Sequence, residues 1–197
     1  MGKPTCAQVK VGETAPDCAS CPFAVKGIPS HKPVRPLVVK KPLGVLIGEG
    51  PGHDEVAMQE PFVGMTGDEL NMMLAENGRP RQSITIANAM GCMPPIGMRT
   101  EGNMRSAATA CRPWVLSILK SAVPLSTPTL AMGKWAGFLV TGKAKAIGDA
   151  RGFLRYVNRR YKPLILTWHP TFALFRNPWV QADFEADMDR WARATRG

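Results

Sequence analysis

"PLGVLIGEGPGHDEVAMQEPFVGMTG", residues 42–67, is the stretch that decides the fold. LGVLIG, at 43–48, is a short continuous apolar run, the pattern of a strand buried on both faces. The residues from 48 to 67 then pack five glycines and two prolines around four acids and one phenylalanine. A buried strand that empties into a glycine-rich, acid-bearing loop is the kind of junction at which open α/β sheets bind ligands.

Working outward, three more apolar runs read as strands: SITIAN (83–88), TPTLAMG (127–133) and PLILTWHP (163–170). Helical patterns alternate with them. TGDELNMMLAENG (66–78) has Thr66 and Glu69 at capping-box spacing and Gly78 as its stop. MRSAATACRPWVLSILKSA (104–122) is helical in composition, with Pro113 marking a start or a break inside it. KWAGFLVTG (134–142) closes on Gly142, and VQADFEADMDRWARATR carries one apolar stripe at 180, 184, 188 and 191. This alternation predicts an α/β three-layer sandwich: a central, mostly parallel four-stranded sheet with helices on both faces. GEGPG, Asn88 and the His169-Pro170 pair all fall at strand carboxyl ends, so the three ends are expected to converge on one crevice.

The 197 residues suit one domain, a proline-rich basic arm (1–42) followed by an α/β body (43–197). A hydrophobic content of 45% excludes a disordered chain. No apolar run approaches the roughly 18 residues of a membrane span. The N-terminus, MGKPTCAQVKVGETAPDC, has no apolar signal core, which predicts a cytoplasmic protein. Twenty-five Lys and Arg against 15 Asp and Glu leave a net charge of +10, so DNA or RNA is the first partner to consider. A basic protein with no such partner is the alternative.

Five cysteines in a chain of this kind point to metal or reactivity rather than to a disulfide framework. Cys18 and Cys21 form a C-x2-C pair, and Cys92 and Cys111 follow with 18 residues between them. Such a set could bind zinc or an iron–sulfur cluster, or be four buried thiols; spacing alone does not choose. Cys6 is left over.

Taken in order, CASC, GEGPGHDE, PFVGMTG, NAMGCMPP, Cys111, AIGDARGF and HPTFALFR resemble the motifs of the family 4, iron–sulfur uracil-DNA glycosylases, from about residue 18 to about 178. The resemblance implies an enzyme that flips uracil out of single- or double-stranded DNA and hydrolyses its N-glycosidic bond, leaving an abasic site; a monomer is expected. It implies a [4Fe–4S] cluster on Cys18, Cys21, Cys92 and Cys111. Gly48, Glu49 and Gly50 match the loop that contacts the base. Glu49 is the first choice for activating water, and Glu55 is the motif's second glutamate or else an exposed loop carboxylate. Phe62 matches the phenylalanine that stacks on the flipped base; without the resemblance it reads as core. Asn88 matches the asparagine that pairs with the uracil edge, and His169 the hydrogen-bond donor to uracil O2. Arg99, Arg105, Arg112, Arg176 and the arm at 26–41 are candidates for DNA phosphates. Phe172, Leu174 and Phe175 are candidates for the wedge that fills the vacated stack.

The chain also departs from the family. Gly91 and Met93 stand where Lys and Arg usually flank the third cysteine, and IGMR (96–99) replaces an Asn-Arg pair. The Cys92–Cys111 interval is longer than is common, and the basic insert of a uracil-trapping branch is missing. Three rivals therefore stand beside uracil excision: a glycosylase for another modified base, a non-catalytic DNA-binding relative, and an iron–sulfur redox protein.

Overall fold

The structure is a computed structural model that describes residues 9–24, 32–124, 126–152 and 163–195. The elements run β1 (Gly44–Gly48), α1 (His53–Met58), α2 (Met65–Glu76), β2 (Ile84–Asn88), α3 (Glu101–Ala122), β3 (Thr129–Met132), α4 (Lys134–Thr141), α5 (Ile147–Ala150), β4 (Leu164–Thr167), α6 (Pro170–Arg176) and α7 (Pro178–Ala194). The four strands pair in the order β2-β1-β3-β4, and every pairing is parallel. The expected α/β fold is therefore found. No described helix is long and apolar enough to cross a membrane.

Alternate residues of the strands feed two separate cores, which is why these runs are apolar throughout. Val45 and Ile47 of β1 face Trp114, Val115, Trp135 and Leu139 from α3 and α4. Leu46 faces the other way, into Leu70 and Leu74 of α2 and Phe184, Met188 and Trp191 of α7. The stripe expected at 180, 184, 188 and 191 is the buried face of α7.

Three local expectations are corrected. The loop after β1 is not wholly irregular, because α1 forms inside it. Its Glu55 reaches back three residues to accept from the Gly52 N–H at 2.6 Å, closing the first turn. Helix α2 starts at Met65 behind Gly64, so Thr66 does not cap it; the Thr66 hydroxyl lies 3.3 Å from that of Thr171 instead. Pro113 neither starts nor breaks α3, which runs through it for 22 residues from a Thr100 cap. The packing of Trp114 and Val115 into the core outweighs the lost backbone bond.

The basic arm is tied to the body. Leu37 makes an antiparallel bridge with Ile86, exchanging bonds of 2.8 and 2.9 Å, and so covers the open edge of β2. Arg35 pairs with Glu13 at 2.5 Å and lies over the Trp114 ring, while the Asp17 N–H donates to Ala110 of α3 at 3.0 Å. Arm residues 25–31 lie outside the described residues.

At the far edge, Asp187 of α7 is fully buried and ties together three elements. It accepts from the Thr167 hydroxyl (2.9 Å), Arg151 Nε (3.1 Å) and Arg190 (3.1 Å). Arg151 belongs to the AIGDARGF motif and Thr167 ends β4, so this carboxylate anchors the strand just before His169. Burial pushes its pKa up, against the hydrogen bond from Thr167 and the attraction of Arg151 and Arg190. Asp187→Ala removes the acceptor of the buried Thr167 hydroxyl and one of the two carboxylates on Arg151, which keeps Asp183 at 3.1 Å; it is expected to cost about 1–3 kcal/mol, to be measured by urea denaturation.

Candidate active site

Beyond the carboxyl ends of the strands lies an open cleft of about 740 Å³. Glu49, Gly50, Phe62, Arg99 and His169 line it, with Glu55 and Phe172. Sequence residues more than 100 positions apart thus meet because β1 and β4 end on the same side of a parallel sheet.

Gly48 and Asn88 are register partners, the last residues of β1 and β2. A Cβ on Gly48 would strike both the Asn88 side-chain oxygen and the Phe62 ring. Glycine is required there because three groups converge on one backbone position. Gly50 is different: a Cβ there would meet Met90 and the Cys92 carbonyl only at 3.6–3.8 Å, ordinary contact distances.

Phe62 holds a left-handed backbone conformation (φ 54°), uncommon for an aromatic residue. Its N–H donates to Glu55 Oε1 at 2.7 Å and its carbonyl accepts from Arg81 at 3.1 Å. Arg81 also donates to the Pro61 carbonyl (2.6 Å) and pairs with Glu60 (2.7 Å). Behind it, the backbone of Gly67 packs so closely on the Phe62 carbonyl that no side chain fits. The PFVGMTG motif is thus a clamp that fixes the backbone of one aromatic residue, and Arg81 is a part of it that sequence reasoning missed.

Asn88 is 5% exposed and lies beneath the cleft rather than on its wall. Its Nδ2 donates to Glu55 Oε1 at 3.1 Å. Its Oδ1 is buried with no hydrogen-bond partner among the described residues. Glu55 is therefore neither a bystander nor an exposed loop acid: one carboxylate accepts from Gly52, Phe62 and Asn88.

Glu49 keeps 26% of its side chain exposed and lies 3.9 Å from Arg99. Burial pushes its pKa up from the ordinary carboxylate value, and the Arg99 charge pulls it partly back. His169 caps the N-terminus of α6 as residue N-cap, with Pro170 in the first turn. Its ring packs against Gly133 at the end of β3, where a Cβ would lie 3.4 Å from His169 Cβ.

The arginines divide. Arg99 reaches the cleft. Arg105 lies on exposed α3, paired with Glu101 at 3.3 Å and stacked near Trp135. The structure does not bring Arg112 to the cleft: its Nε donates to the Leu139 carbonyl at 2.8 Å, and it lines a separate cavity with Thr129 and Leu164, the first residues of β3 and β4. Arg176 ends α6, and its side chain lies outside the described residues, as do those of Leu174 and Phe175. Phe172 is 39% exposed and tilts against Trp168.

The four motif cysteines line one small, apolar cavity with Trp114 and Pro33. Cys21, Cys92 and Cys111 are outside any disulfide, whereas Cys18 is disulfide-bonded. Burial first, with the charges of Cys111 and Cys21, pushes the Cys92 thiol up to about 12, and burial with Cys21 pushes Cys111 up to about 11. Among the described residues no group of three or more His, Cys, Asp or Glu side chains is arranged to hold a metal ion. Gly91 has a packing reason: a Cβ would meet the Trp114 ring at 2.7 Å and Pro33 at 3.0 Å. The arm occupies the space a flanking lysine would need, and the Val34 N–H donates to the Gly91 carbonyl at 2.7 Å.

Comparison with known proteins shows the family. The family model of the Uracil DNA glycosylase superfamily matches residues 39–189, most of the chain, so the protein belongs to that superfamily. Three relatives carry the name type-4 uracil-DNA glycosylase, and the similarity is to that branch. The Archaeoglobus fulgidus protein is 28% identical over 152 residues, 74% of this chain and 73% of its own. The Thermotoga maritima protein is 34% identical over 132 residues, 66% and 65% of the two chains. The Saccharolobus solfataricus protein is 31% identical over 149 residues, 73% and 67%.

Gly48→Ala inserts a methyl group between Asn88 and Phe62. It is expected to destabilise the fold by about 1–3 kcal/mol, seen as a lowered melting temperature, whereas Gly50→Ala leaves the melting temperature unchanged.

Proposed function

We propose that this protein is a monofunctional uracil-DNA glycosylase that acts in DNA repair, as a monomer inside the cell. The observation that carries the reading is the meeting of Glu49, Phe62 and His169 around one cleft, with the Asn88 amide directly behind it.

The flipped base enters the cleft and stacks on Phe62, while the Asn88 amide meets its polar edge. Asn88 Oδ1 is sealed by its neighbours, so the base edge reaches it only when the Phe62 ring gives way. The C1′–N1 bond then breaks with its electron pair moving onto the uracil ring, chiefly toward O2. A donor from His169 stabilises that charge. Water adds to the electron-poor C1′ and passes its proton to Glu49, whose raised pKa suits an acceptor working nearer neutral pH. The products are free uracil and an abasic sugar in an unbroken strand. Arg99 at the cleft mouth and Arg105 on α3 contact phosphates, consistent with the basic surplus.

The four cysteines come from the arm, the loop after β2 and α3 to line one small apolar cavity, and their thiolate chemistry supports an iron–sulfur cluster there. Cys18, Cys21, Cys92 and Cys111 would hold a [4Fe–4S] cluster once Cys18 is reduced. Its chemistry there is structural, pinning the arm (1–42) to the body (43–197) of a single domain. A redox role finds no support in the cleft, whose lining suits a nucleobase.

The test uses brown, anaerobically purified protein on a labelled oligonucleotide with a single uracil, followed by alkali cleavage. Wild type is expected to yield product, and Asn88→Ala none. His169→Ala is expected to slow excision about 100- to 1,000-fold. No product from wild type with an intact cluster absorbance would sink the uracil assignment and turn the search to other modified bases. Excision rate should also fall as pH drops through the raised pKa of Glu49. Arg99→Gln removes the charge that favours ionised Glu49, so the acid limb of the pH–rate profile moves to higher pH.

A further inference from the structure

We propose that Trp179 is a stacking platform for an unpaired base beside the flipped nucleotide, and that the protein therefore grips single-stranded DNA more tightly than duplex. This rests on the glycosylase reading above and adds to it the form of DNA that the enzyme takes.

Trp179 stands apart from the other tryptophans of the chain. Trp114, Trp135 and Trp191 are buried and Trp168 is half-buried, whereas Trp179 is 91% exposed. An indole left in water contributes little to the fold, although it is the largest apolar group a side chain can offer. Its backbone is nevertheless held: the Trp179 N–H donates to the Asn177 side chain at 3.1 Å, and Pro178 fixes the first turn of α7. The ring is thus presented by a capped helix of 17 residues and not by a loose loop.

Contacts along α7 place that ring. Near the end of the helix, the Trp191 indole donates to the Pro128 carbonyl at 3.1 Å, just ahead of β3. One turn earlier, Asp187 accepts from Thr167, the last residue of β4. One turn earlier again, Asp183 accepts from the Trp168 indole at 3.4 Å. The helix therefore runs antiparallel to the strands. Trp179, a further turn back on the same face, stands beyond the strands' carboxyl ends, where the cleft opens. Trp168 packs against Phe172 with ring centroids 5.7 Å apart, and Phe172 lines the cleft. Among the described residues the exposed aromatics are Phe172 and Trp179, and both lie at this end of the sheet.

The occupant follows from chemistry. Asp183, the acid nearest along that face, is paired with Arg151 at 3.1 Å, and no acid stands in the first turn of α7. Nothing there repels a phosphate backbone that the net charge of +10 attracts. Aromatic rings stack on any base whose face is free, without reading its identity. In a duplex the bases beside the flipped position keep their faces against neighbours and their edges against the partner strand. An unpaired strand has no such hold, so one of its bases can move onto the indole.

Trp179→Ala and Trp179→Phe, both cluster-loaded, are compared with wild type. Binding is read by fluorescence anisotropy on a labelled, uracil-free single strand and on the same sequence as a duplex, so no turnover is involved. Wild type is expected to bind the single strand more tightly. The alanine variant is expected to bind it about 5- to 100-fold more weakly, the phenylalanine variant to keep most of the affinity, and duplex binding to stay unchanged. Melting temperatures are expected to match, because the ring is exposed. On a single strand carrying one uracil, KM rises in the alanine variant while kcat holds. Unchanged single-strand binding in that variant overturns the proposal and leaves the ring to a protein partner. Equal losses on single strand and duplex also overturn it, in favour of a wedge. Wild type that excises no uracil, yet binds the single strand through Trp179, removes the glycosylase reading and leaves the stacking platform standing.

Discussion

One carboxylate organises the cleft. Glu55 closes the first turn of α1 through Gly52, holds the left-handed backbone of Phe62 and orients the amide of Asn88. These three partners come from the loop after β1, the PFVG segment and the end of β2. Charge-assisted hydrogen bonds of this kind are roughly twice as strong as neutral ones, so a single side chain can keep an uncommon aromatic conformation in place. Arg81 completes the clamp from the opposite side by binding the Pro61 and Phe62 carbonyls. A turn with this many satisfied backbone groups is a rigid floor rather than a loose loop.

The sheet supplies the other half of the constraint. Because β1 and β2 are parallel and paired from Gly44↔Ile84 to Gly48↔Asn88, both strands finish at the same level. The pairing then continues one step beyond, with Ala89 and Met90 donating to the Gly48 and Glu49 carbonyls at 2.9 and 3.0 Å. Glu49 and Asn88 are thereby fixed against each other by backbone bonds, not by side-chain contacts. On the far side, the buried Asp187 holds Thr167 and Arg151, which delivers His169 to the cleft from β4. Two edges of the sheet thus position Asn88 behind the cleft and His169 in its lining.

Much of this was legible in the sequence, for physical reasons. Strands covered on both faces must be apolar at every position, so GVLIG, ITIAN, TLAM and LILT announce themselves. The approach of the GEGPG loop, Asn88 and His169 to one end of the sheet followed from the parallel order, whereas Phe62 was marked out only by the resemblance. What was not legible depended on tertiary partners. Helix α1 is closed by a glutamate reaching back to a glycine, a box without the usual Ser or Thr. Arg112 lies in the same helix as Arg105 yet turns to the opposite end of the sheet, and composition carries no sign of that. Asp187 sits in a helix whose other acids, Asp183, Glu185 and Asp189, are exposed or only partly buried, so nothing in composition marks it as the buried one.

Gly91 shows how a departure from a family pattern can be structural. The position that usually carries lysine is here filled by the Trp114 ring and Pro33, and its carbonyl binds the arm. The arm thus lies over the cysteine cavity and against the loop that leaves Asn88. Three residues separate Asn88 from Cys92, all of them buried, so whatever fixes the cysteines also fixes the reach of the amide. The basic surplus lost at Gly91 and Met93 is carried instead by exposed residues such as Arg99 and Arg105. Phosphate contact is sequence-blind and tolerates such relocation, because only the sum of charges near the strand matters. The Asn88 amide and the Glu55 carboxylate allow no such relocation, because their hydrogen bond joins two single atoms on separate elements.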